Sequence, residues 1–392
     1  MDPSRVLSSS LSRRRFLGSM AAAGTAGLLS ACGGGGKSTT STGGAAGPSS
    51  SKTSGFKIAV EDGYTGNTWR TQTNANIEQV AEQLQQQGVI SDFQLLTSPN
   101  DANTQLTHIQ SMIASKPDAI LFAPVTNASA QTAVTRIKAA GIPAYIIVDP
   151  APTPNAMNIV GGDSSWWAIQ AEWLAQQING KGKILMVTGL PGNGSDIVRQ
   201  ASVKKVLAKY PGIEVVASVP GNWDPGVART AVAPVLATNP QIDAILTQDI
   251  MATGIIQAFK AANRPLPKVM TGDYTAAFLN LWKTMPELNT IGVPYTPTVG
   301  ADALRIVIQL LGGKKLKDNL LEPNEIDANI KDNALLMPPA LAVTRDGKPG
   351  SWTPSTMQVI SLDEAVKRVE GKPETFALEA PLTEESLNGL LQ

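Results

Sequence analysis

The feature that most constrains this chain is an internal repeat of about 120 residues. Pro117-Asp118-Ala119-Ile120-Leu121 recurs, with an insertion, as Pro240-Gln241-Ile242-Asp243-Ala244-Ile245-Leu246, and Ala139-Ala140-Gly141-Ile142-Pro143 is followed in the same order by Ala261-Ala262-Asn263-Arg264-Pro265. A repeat of this length is far too long for a solenoid unit. Two similar domains with a ligand cleft between them explain it, and the alternative is a coincidental similarity of two α/β segments.

Short β-branched runs alternate with helical stretches from Phe56 to about Lys317, which is typical of an α/β fold with parallel sheets. We therefore predict two similar doubly wound parallel-sheet lobes. The predicted strands cover residues 57–60, 94–96, 119–122, 144–148, 183–187, 214–217, 244–246 and 268–270. The predicted helices cover residues 69–87, 102–115, 128–140, 166–178, 196–209 and 226–237, and a short one covers 362–369.

The first 55 residues differ in character from the rest. Residues 1–31 join a cluster of arginines to a short Ala/Gly-rich apolar run, which indicates an export signal of the twin-arginine kind, with a Sec signal as the alternative. Leu29-Ser30-Ala31-Cys32 resembles a lipobox, so we expect lipid attachment at Cys32; otherwise this cysteine is incidental. Residues 32–55 are mostly Gly, Ser, Thr and Ala and predict a flexible tether above a lipid anchor.

Charge and composition exclude several classes of function. The chain has 32 basic and 32 acidic residues, which gives no basic surface for nucleic acid. One Cys and one His leave no disulfide, no zinc cluster and little for His-based catalysis. No stretch of 18 or more residues is apolar enough to span a bilayer. We expect a globular protein with no cofactor and no metal.

A set of short motifs, in order and at consistent spacing, identifies a family. They are Gly66-Asn67-Thr68-Trp69, Ile147-Val148-Asp149, Val160-Gly161-Gly162-Asp163, Gly180-Lys181-Gly182-Lys183-Ile184, Lys209-Tyr210-Pro211-Gly212-Ile213-Glu214 and Trp223-Asp224. With them, residues 56–317 resemble the periplasmic sugar-binding proteins of the ribose-binding type, which are substrate receptors for ABC transporters. The resemblance implies a ligand cleft between two lobes, a three-stranded hinge, a permease as partner and a monomer.

The hinge divides the chain into segments. We expect crossings near residues 161–163, near Asp273 and near residues 292–294. The N-terminal lobe would then combine residues 56–161 with 294–318, and the C-terminal lobe would cover 162–293. Residues 319–392 would add one or more strands and an extension to which the sequence assigns no role. Ligand binding would close the two lobes about the hinge.

Candidate ligand-binding residues follow the strand ends, because ligands of open parallel sheets bind beyond the C-terminal ends of strands. Asn67, Trp69 and Arg70 follow the first strand, and Asp149 ends the fourth. The resemblance points to the same places, and it adds the side chains Arg199, Trp223, Gln248 and Asp273. Carboxylates, amides and a guanidinium suit hydroxyl groups, and the indole rings suit the C–H face of a sugar. The structural alternatives are core tryptophans, capping aspartates and a solvated arginine.

Other observations leave the ligand open. Ala123 and Val293 stand where relatives with monosaccharide ligands often have Asn and Gln, so the ligand is expected to be less polar, larger or differently oriented than ribose. An amino acid or nucleoside ligand, a sensor partner and an extracytoplasmic enzyme with two acidic groups remain alternatives. The glycine-rich loop at residues 189–195 lacks the Gly-Lys-Ser/Thr ending of a phosphate loop, which argues against nucleotide binding.

Overall fold

Hydrophobic strands buried on both faces form the centre of each lobe of this protein. A computed structural model describes residues 52–392; the predicted export signal, Cys32 and nearly all of the predicted tether lie outside the described residues. In chain order, the first lobe begins β1 Phe56–Asp62, α1 Thr68–Gln86, β2 Ile90–Thr97, α2 Ala102–Ser115, β3 Ala119–Ala123, α3 Asn127–Ala139, β4 Ala144–Val148 and β5 Met157–Val160.

The second lobe follows without interruption. It contains α4 Asp163–Gln177, β6 Lys181–Thr188, α5 Gly194–Leu207, β7 Gly212–Pro220, α6 Pro225–Thr238, β8 Ala244–Thr247, α7 Ala252–Ala261, β9 Val269–Met270 and α8 Ala276–Lys283. The remaining elements are α9 Val299–Leu311, β10 Leu321–Glu322, β11 Ala334–Leu336, β12 Leu341–Thr344, β13 Gln358–Ser361, α10 Leu362–Arg368 and α11 Glu384–Gly389. Within residues 52–392, no helix combines the length and apolarity needed to cross a membrane.

The sheets confirm the predicted fold class. The first sheet has the order β10-β11-β5-β4-β3-β1-β2, and the second has the order β7-β6-β8-β9. Every pairing in them is parallel except β10 with β11. Side chains alternate between the two faces: Ile58 and Val60 join the cluster that contains Ile77 of α1, whereas Ala59 joins the cluster with Ile109 of α2. Each lobe is therefore doubly wound.

The chain crosses between the lobes at three places before the strap-forming residues near its C-terminus. One crossing follows β5 near Gly161, and another precedes α9 near Val293. The third connects β11 of the first sheet to β12 of the second lobe through residues 337–340, and Gly292 pairs there with Val343. The expected crossing near Asp273 is wrong, because Asp273 lies between β9 and α8 of the same lobe. Asp273, a binding residue that the resemblance implied, thus follows a strand end and does not belong to a hinge strand.

The segment to which the sequence assigned no role contributes to both lobes. Strands β10 and β11 extend the first sheet, whereas β12, β13 and α10 pack on the second lobe beside α8. Residues 374–382, which we call the strap, then return along both lobes. Ala276 donates its N–H to Phe376, and the Gln72 amide both donates to and accepts from the backbone of Ala377 at 3.0 and 2.8 Å. The strap is therefore a fourth link between the lobes.

A carboxylate from the same segment caps a helix of the opposite lobe. Helix α4 begins after Gly162, which has no side chain to cap it. Glu325 accepts the N–H groups of Asp163 and Ser164 at 3.3 and 3.0 Å and the Ser164 hydroxyl at 2.7 Å. Negative charge at a helix N-terminus also interacts favourably with the helix dipole. Glu325 thus replaces the missing N-cap side chain.

Replacing Glu325 with Ala should lower the free energy of unfolding by about 1–2 kcal/mol, because the first turn of α4 loses its acceptor. Glu325→Gln keeps one acceptor oxygen and should cost less. Urea denaturation of both variants measures this, with Glu322→Ala as control because Glu322 is exposed on β10. An equal loss in Glu322→Ala and Glu325→Ala would contradict the capping role.

Candidate functional site

Polar side chains meet where the C-terminal ends of the strands of the two lobes face each other. Asn67 caps α1, and its Oδ1 accepts the N–H of Arg70 at 2.9 Å. This cap starts the helix directly after the β1 loop, so Trp69 and Arg70 occupy its first turn and lie next to the end of β4. Local capping chemistry therefore places three candidate residues at one edge of the first sheet.

Arg70 is clamped between two carboxylates of its own lobe. Its Nη1 lies 3.2 Å from Asp62 Oδ1, and its Nη2 contacts Asp149 Oδ2. All three side chains are buried. Burial opposes the charge on Arg70, but the attraction of Asp149 and Asp62 outweighs it and raises the pKa of the guanidinium. A buried guanidinium without such partners would cost several kcal/mol, so the two carboxylates compensate the burial of Arg70.

The second lobe repeats this arrangement. Arg199 Nε lies 2.6 Å from Asp163 Oδ1, and Nη1 lies 2.6 Å from Asp249 Oδ2. The guanidinium also lies over the rings of Trp166 and Tyr295, at 4.3 and 4.5 Å from their centroids. Burial raises the pKa of Asp163 and of Asp249, and in both the nearby Arg199 opposes that rise. Each lobe therefore presents one guanidinium between two aspartates.

Three hydrogen bonds join the lobes across this edge. Ser195 Oγ lies 2.9 Å from Asp149 Oδ1, and Asn67 Nδ2 donates to the carbonyl of Trp223 at 3.0 Å. The Tyr64 hydroxyl donates to the carbonyl of Asn222 at 3.4 Å. Residues of the first lobe thus directly contact the first turn of α5 and the loop before α6 in the second lobe. The cleft is closed in this structure.

The closed cleft encloses a cavity of about 30 Å³. It is lined by Asn67, Trp69, Arg70, Val148, Asp149, Ser195, Arg199, Trp223, Asp249, Ile250 and Tyr295. Space of this size holds about one or two water molecules. A ligand of sugar size therefore enters only when the lobes separate or the bonds between Asp149, Arg70 and Ser195 rearrange.

Six of the eight predicted binding residues line this cavity, namely Asn67, Trp69, Arg70, Asp149, Arg199 and Trp223. Gln248 lies behind it: its Oε1 accepts from Trp223 Nε1 at 2.8 Å, and its Nε2 donates to Asp196 at 2.8 Å. The carboxylate of Asp273 is buried and does not line the cavity. Its Oδ1 accepts two backbone N–H groups, whereas Oδ2 has no hydrogen-bond partner among residues 52–392.

Several lining residues were missed by sequence reasoning. Asp249 and Ile250 follow β8, and Val148 ends β4, so the strand-end rule applied to every strand would have found them. Ser195 ends the glycine-rich loop of residues 189–195, from which we expected backbone groups, and not a side chain, to face the cleft. Tyr295 comes from a hinge crossing, and no local pattern in the sequence marks it.

Backbone strain concentrates around the cavity. Val148, Asn222, Trp223 and Ile250 have φ of 65°, 55°, 55° and 48°, although none is glycine. For β-branched residues such as Val148 and Ile250 this conformation is rare and costly. Three of the four line the cavity, and Asn222 accepts the bond from Tyr64. Such strain commonly marks binding sites, where surrounding contacts fix the geometry.

Within residues 52–392, no group of three or more His, Cys, Asp and Glu side chains is placed to hold a metal ion. The fold and the cleft together define a two-lobed binding protein. Residues 60–315 match a family model described as periplasmic binding protein domain, and the chain belongs to this family. This confirms the resemblance found in the sequence, and it places the protein outside the cytoplasm among solute-binding proteins.

Relatives of known designation support the same class. A xylitol-binding protein of Mycolicibacterium smegmatis is 28% identical over 334 residues, covering 84% of this chain and 86% of the relative. A putative rhizopine-binding protein of Rhizobium meliloti is 30% identical over 236 residues, covering 58% and 73%. The fold is shared with an ABC transporter solute binding protein from Thermobispora bispora, with a TM-score of 0.70, 24% identity, and coverage of 85% and 94%.

The buried carboxyl of Asp273 makes stability depend on pH. Burial raises the pKa of Asp273 to about 7, although the hydrogen bond from the N–H group of Tyr274 acts to lower it. The unfolded chain releases this proton near pH 4, so unfolding releases a proton between about pH 4 and 7 and stability falls as pH rises through that window. Asp273→Asn should therefore gain stability over wild type by up to about 1.4 kcal/mol per pH unit across it.

Urea denaturation at several pH values from 4 to 8 measures this gap. Asp92→Asn, at an exposed position on β2, is the control and should show no such trend. A gap between Asp273→Asn and wild type that stays constant from pH 4 to 8 would mean that Asp273 is ionised in the folded chain throughout.

Proposed function

We propose that this protein captures a small polyhydroxylated ligand, a sugar or a related polyol, in the interlobe cleft and delivers it to an ABC permease. The observation that carries the proposal is the pair of guanidinium groups, each held between two aspartates, one pair from each lobe. A hydroxyl group both donates and accepts, so it pairs with a carboxylate and a guanidinium at once.

The chemistry of the cavity wall suits hydroxyl groups on a short carbon chain. Asp149 and Asp249 supply acceptors from opposite lobes, Arg70 and Arg199 supply donors, and Asn67 supplies an amide. A ligand that lacks a hydroxyl at one of these positions leaves a buried charged group unpaired, which is how the site discriminates. The xylitol-binding relative, which aligns with most of this chain, favours a polyol of about that size.

Binding is proposed to couple to hinge motion. Ligand hydroxyls replace the Ser195–Asp149 bond and share Asp149 with Arg70, while the contacts of Asn67 and Tyr64 to the second lobe close the entrance. A ligand held by both lobes stabilises the closed state by its differential affinity for that state. The permease then recognises the closed form.

The remaining assignments are also proposals. Residues 1–31 direct export by the twin-arginine route, Cys32 carries the lipid, and residues 32–55 tether a monomeric receptor to the membrane. We propose a binder without catalysis, because each cleft aspartate nearest the cavity already pairs with an arginine. The second candidate partner is a membrane sensor protein, which would bind the same closed, ligand-loaded form.

A thermal-shift screen tests the proposal with xylitol, myo-inositol, D-arabinose, D-ribose, amino acids and nucleosides. A ligand at 100 times its Kd contributes about 2.7 kcal/mol, which raises the melting temperature by several degrees. Asp149→Asn should abolish most of this rise, because it removes the charge that both Arg70 and a hydroxyl require. Asp92→Asn, far from the cleft on β2, should retain it.

A full rise in Asp149→Asn would place the ligand elsewhere. A response only to amino acids or nucleosides would refute the polyol assignment and leave the binding class intact. Turnover of any bound sugar, followed by chromatography of the mixture, would show an enzyme.

A further inference from the structure

Tyr295 occupies the hinge crossing that leads from the second lobe back to the first. Its hydroxyl accepts the N–H of Gly161 at 3.1 Å and lies 2.9 Å from the carbonyl of Val148. Its ring packs between Trp69 and Trp166, with centroids 5.8 and 5.9 Å away. The side chain is buried and held on every side.

Behind Tyr295 lies a second and much larger space, which we call the hinge cavity. It measures about 380 Å³ and is enclosed by the hinge crossings at Gly161, at residues 294–296 and at residues 337–341, together with the strap. Its walls are mainly apolar and include Pro294, Val299, Met337, Pro338, Leu341 and Pro381. It is therefore more than ten times larger than the cavity in the ligand cleft.

Tyr295 lies between the two spaces. Within residues 52–392, Tyr295 alone lines both the cleft cavity and the hinge cavity. Gly161 permits this position, because a Cβ atom there would lie only 2.5–2.7 Å from atoms of the Tyr295 ring. Any larger residue at 161 would displace the ring. The absence of a side chain at Gly161 therefore leaves the space that the Tyr295 ring occupies.

We propose that Tyr295 is a specificity-determining residue that closes the hinge end of the ligand cleft, so that the protein binds compact polyols and excludes derivatives carrying an apolar substituent. This inference rests on the function proposed above. The excluded substituent is apolar because the hinge cavity, into which it would extend, offers mainly proline and aliphatic surface. Removing the ring should join the two spaces, so that the protein also binds polyol derivatives with an apolar substituent.

The experiment compares parent polyols with their apolar derivatives on the full-length protein. Calorimetric titration uses xylitol and myo-inositol and the mono-O-butyl ether of each. The variants are Tyr295→Ala, Tyr295→Leu and Tyr295→Phe, the last of which keeps the ring and loses only the hydroxyl. The readout is the affinity for the ether divided by that for its parent, because this ratio cancels any change in hinge closure common to both ligands.

Wild type and Tyr295→Phe should bind each ether at least tenfold more weakly than its parent. In Tyr295→Ala the ratio should rise by roughly 10- to 100-fold, because burial of four methylene-sized groups becomes favourable. In Tyr295→Leu the affinity ratio should rise less, because the leucine side chain still fills part of the space. This variant replaces Tyr295→Ala if the alanine substitution prevents folding. Circular dichroism and thermal unfolding establish that each variant is folded.

The inference is overturned if wild type binds the ethers as tightly as their parents, since no partition then exists. It is also overturned if folded Tyr295→Ala or Tyr295→Leu binds the parents but gains nothing for the ethers. Failure of wild type to bind any polyol in the thermal-shift panel defeats the proposed function itself, which distinguishes that failure from a failure of Tyr295 as the partition.

Discussion

Two buried arginines, each paired with two aspartates, hold the loops of the two lobes in place at their interface. A buried guanidinium without carboxylate partners would cost several kcal/mol, so removing either aspartate of a pair weakens the compensation of that charge. The clusters at Arg70 and Arg199 therefore fix the geometry of the loops around them. Three features hold these charged groups at the lobe interface. They are the N-cap of α1, the strained backbone at Val148 and Ile250, and the packing of Tyr295.

The C-terminal segment adds constraints that a hinge of three crossings lacks. Glu325 caps α4 from the first lobe, and the strap binds both Gln72 of α1 and the chain before α8. These contacts link the two lobes, and residues 379–382 of the strap form one wall of the hinge cavity. The same segment that stabilises the hinge thus also shapes the space behind the ligand cleft.

Much of the fold could be predicted from the sequence because burial and periodicity are local signals. All eight predicted strands and all the predicted helices are present, and most of these strands are short apolar runs bounded by turns. Strand β5 was missed because it carries the polar Asn158, whose hydrogen bonds reach Ala151 and Asn333. Contacts with residues distant in the sequence stabilise β5 as a strand, and its own residues show no strand pattern.

The site shows the same division. Asp149 and Asn67 follow strand ends and could be placed by topology alone, and the resemblance added Arg199 and Trp223. Asp273 was a binding residue that the resemblance implied, but it was also assigned a hinge crossing that the chain makes elsewhere. Tyr295 had no signal, because its role arises where three crossings and the strap meet. Long-range contacts of this kind leave no periodicity in the residues that make them.

We propose that both lobes hold one polyol between Asp149 and Arg199. A crystal structure of the protein with the best ligand of the panel tests this arrangement. We expect density for one ligand in the cleft, with hydroxyl groups bonded to Asp149 and Arg70 on one side and to Arg199 or Asp249 on the other. A ligand bound by one lobe alone, or bound in the hinge cavity, would contradict it.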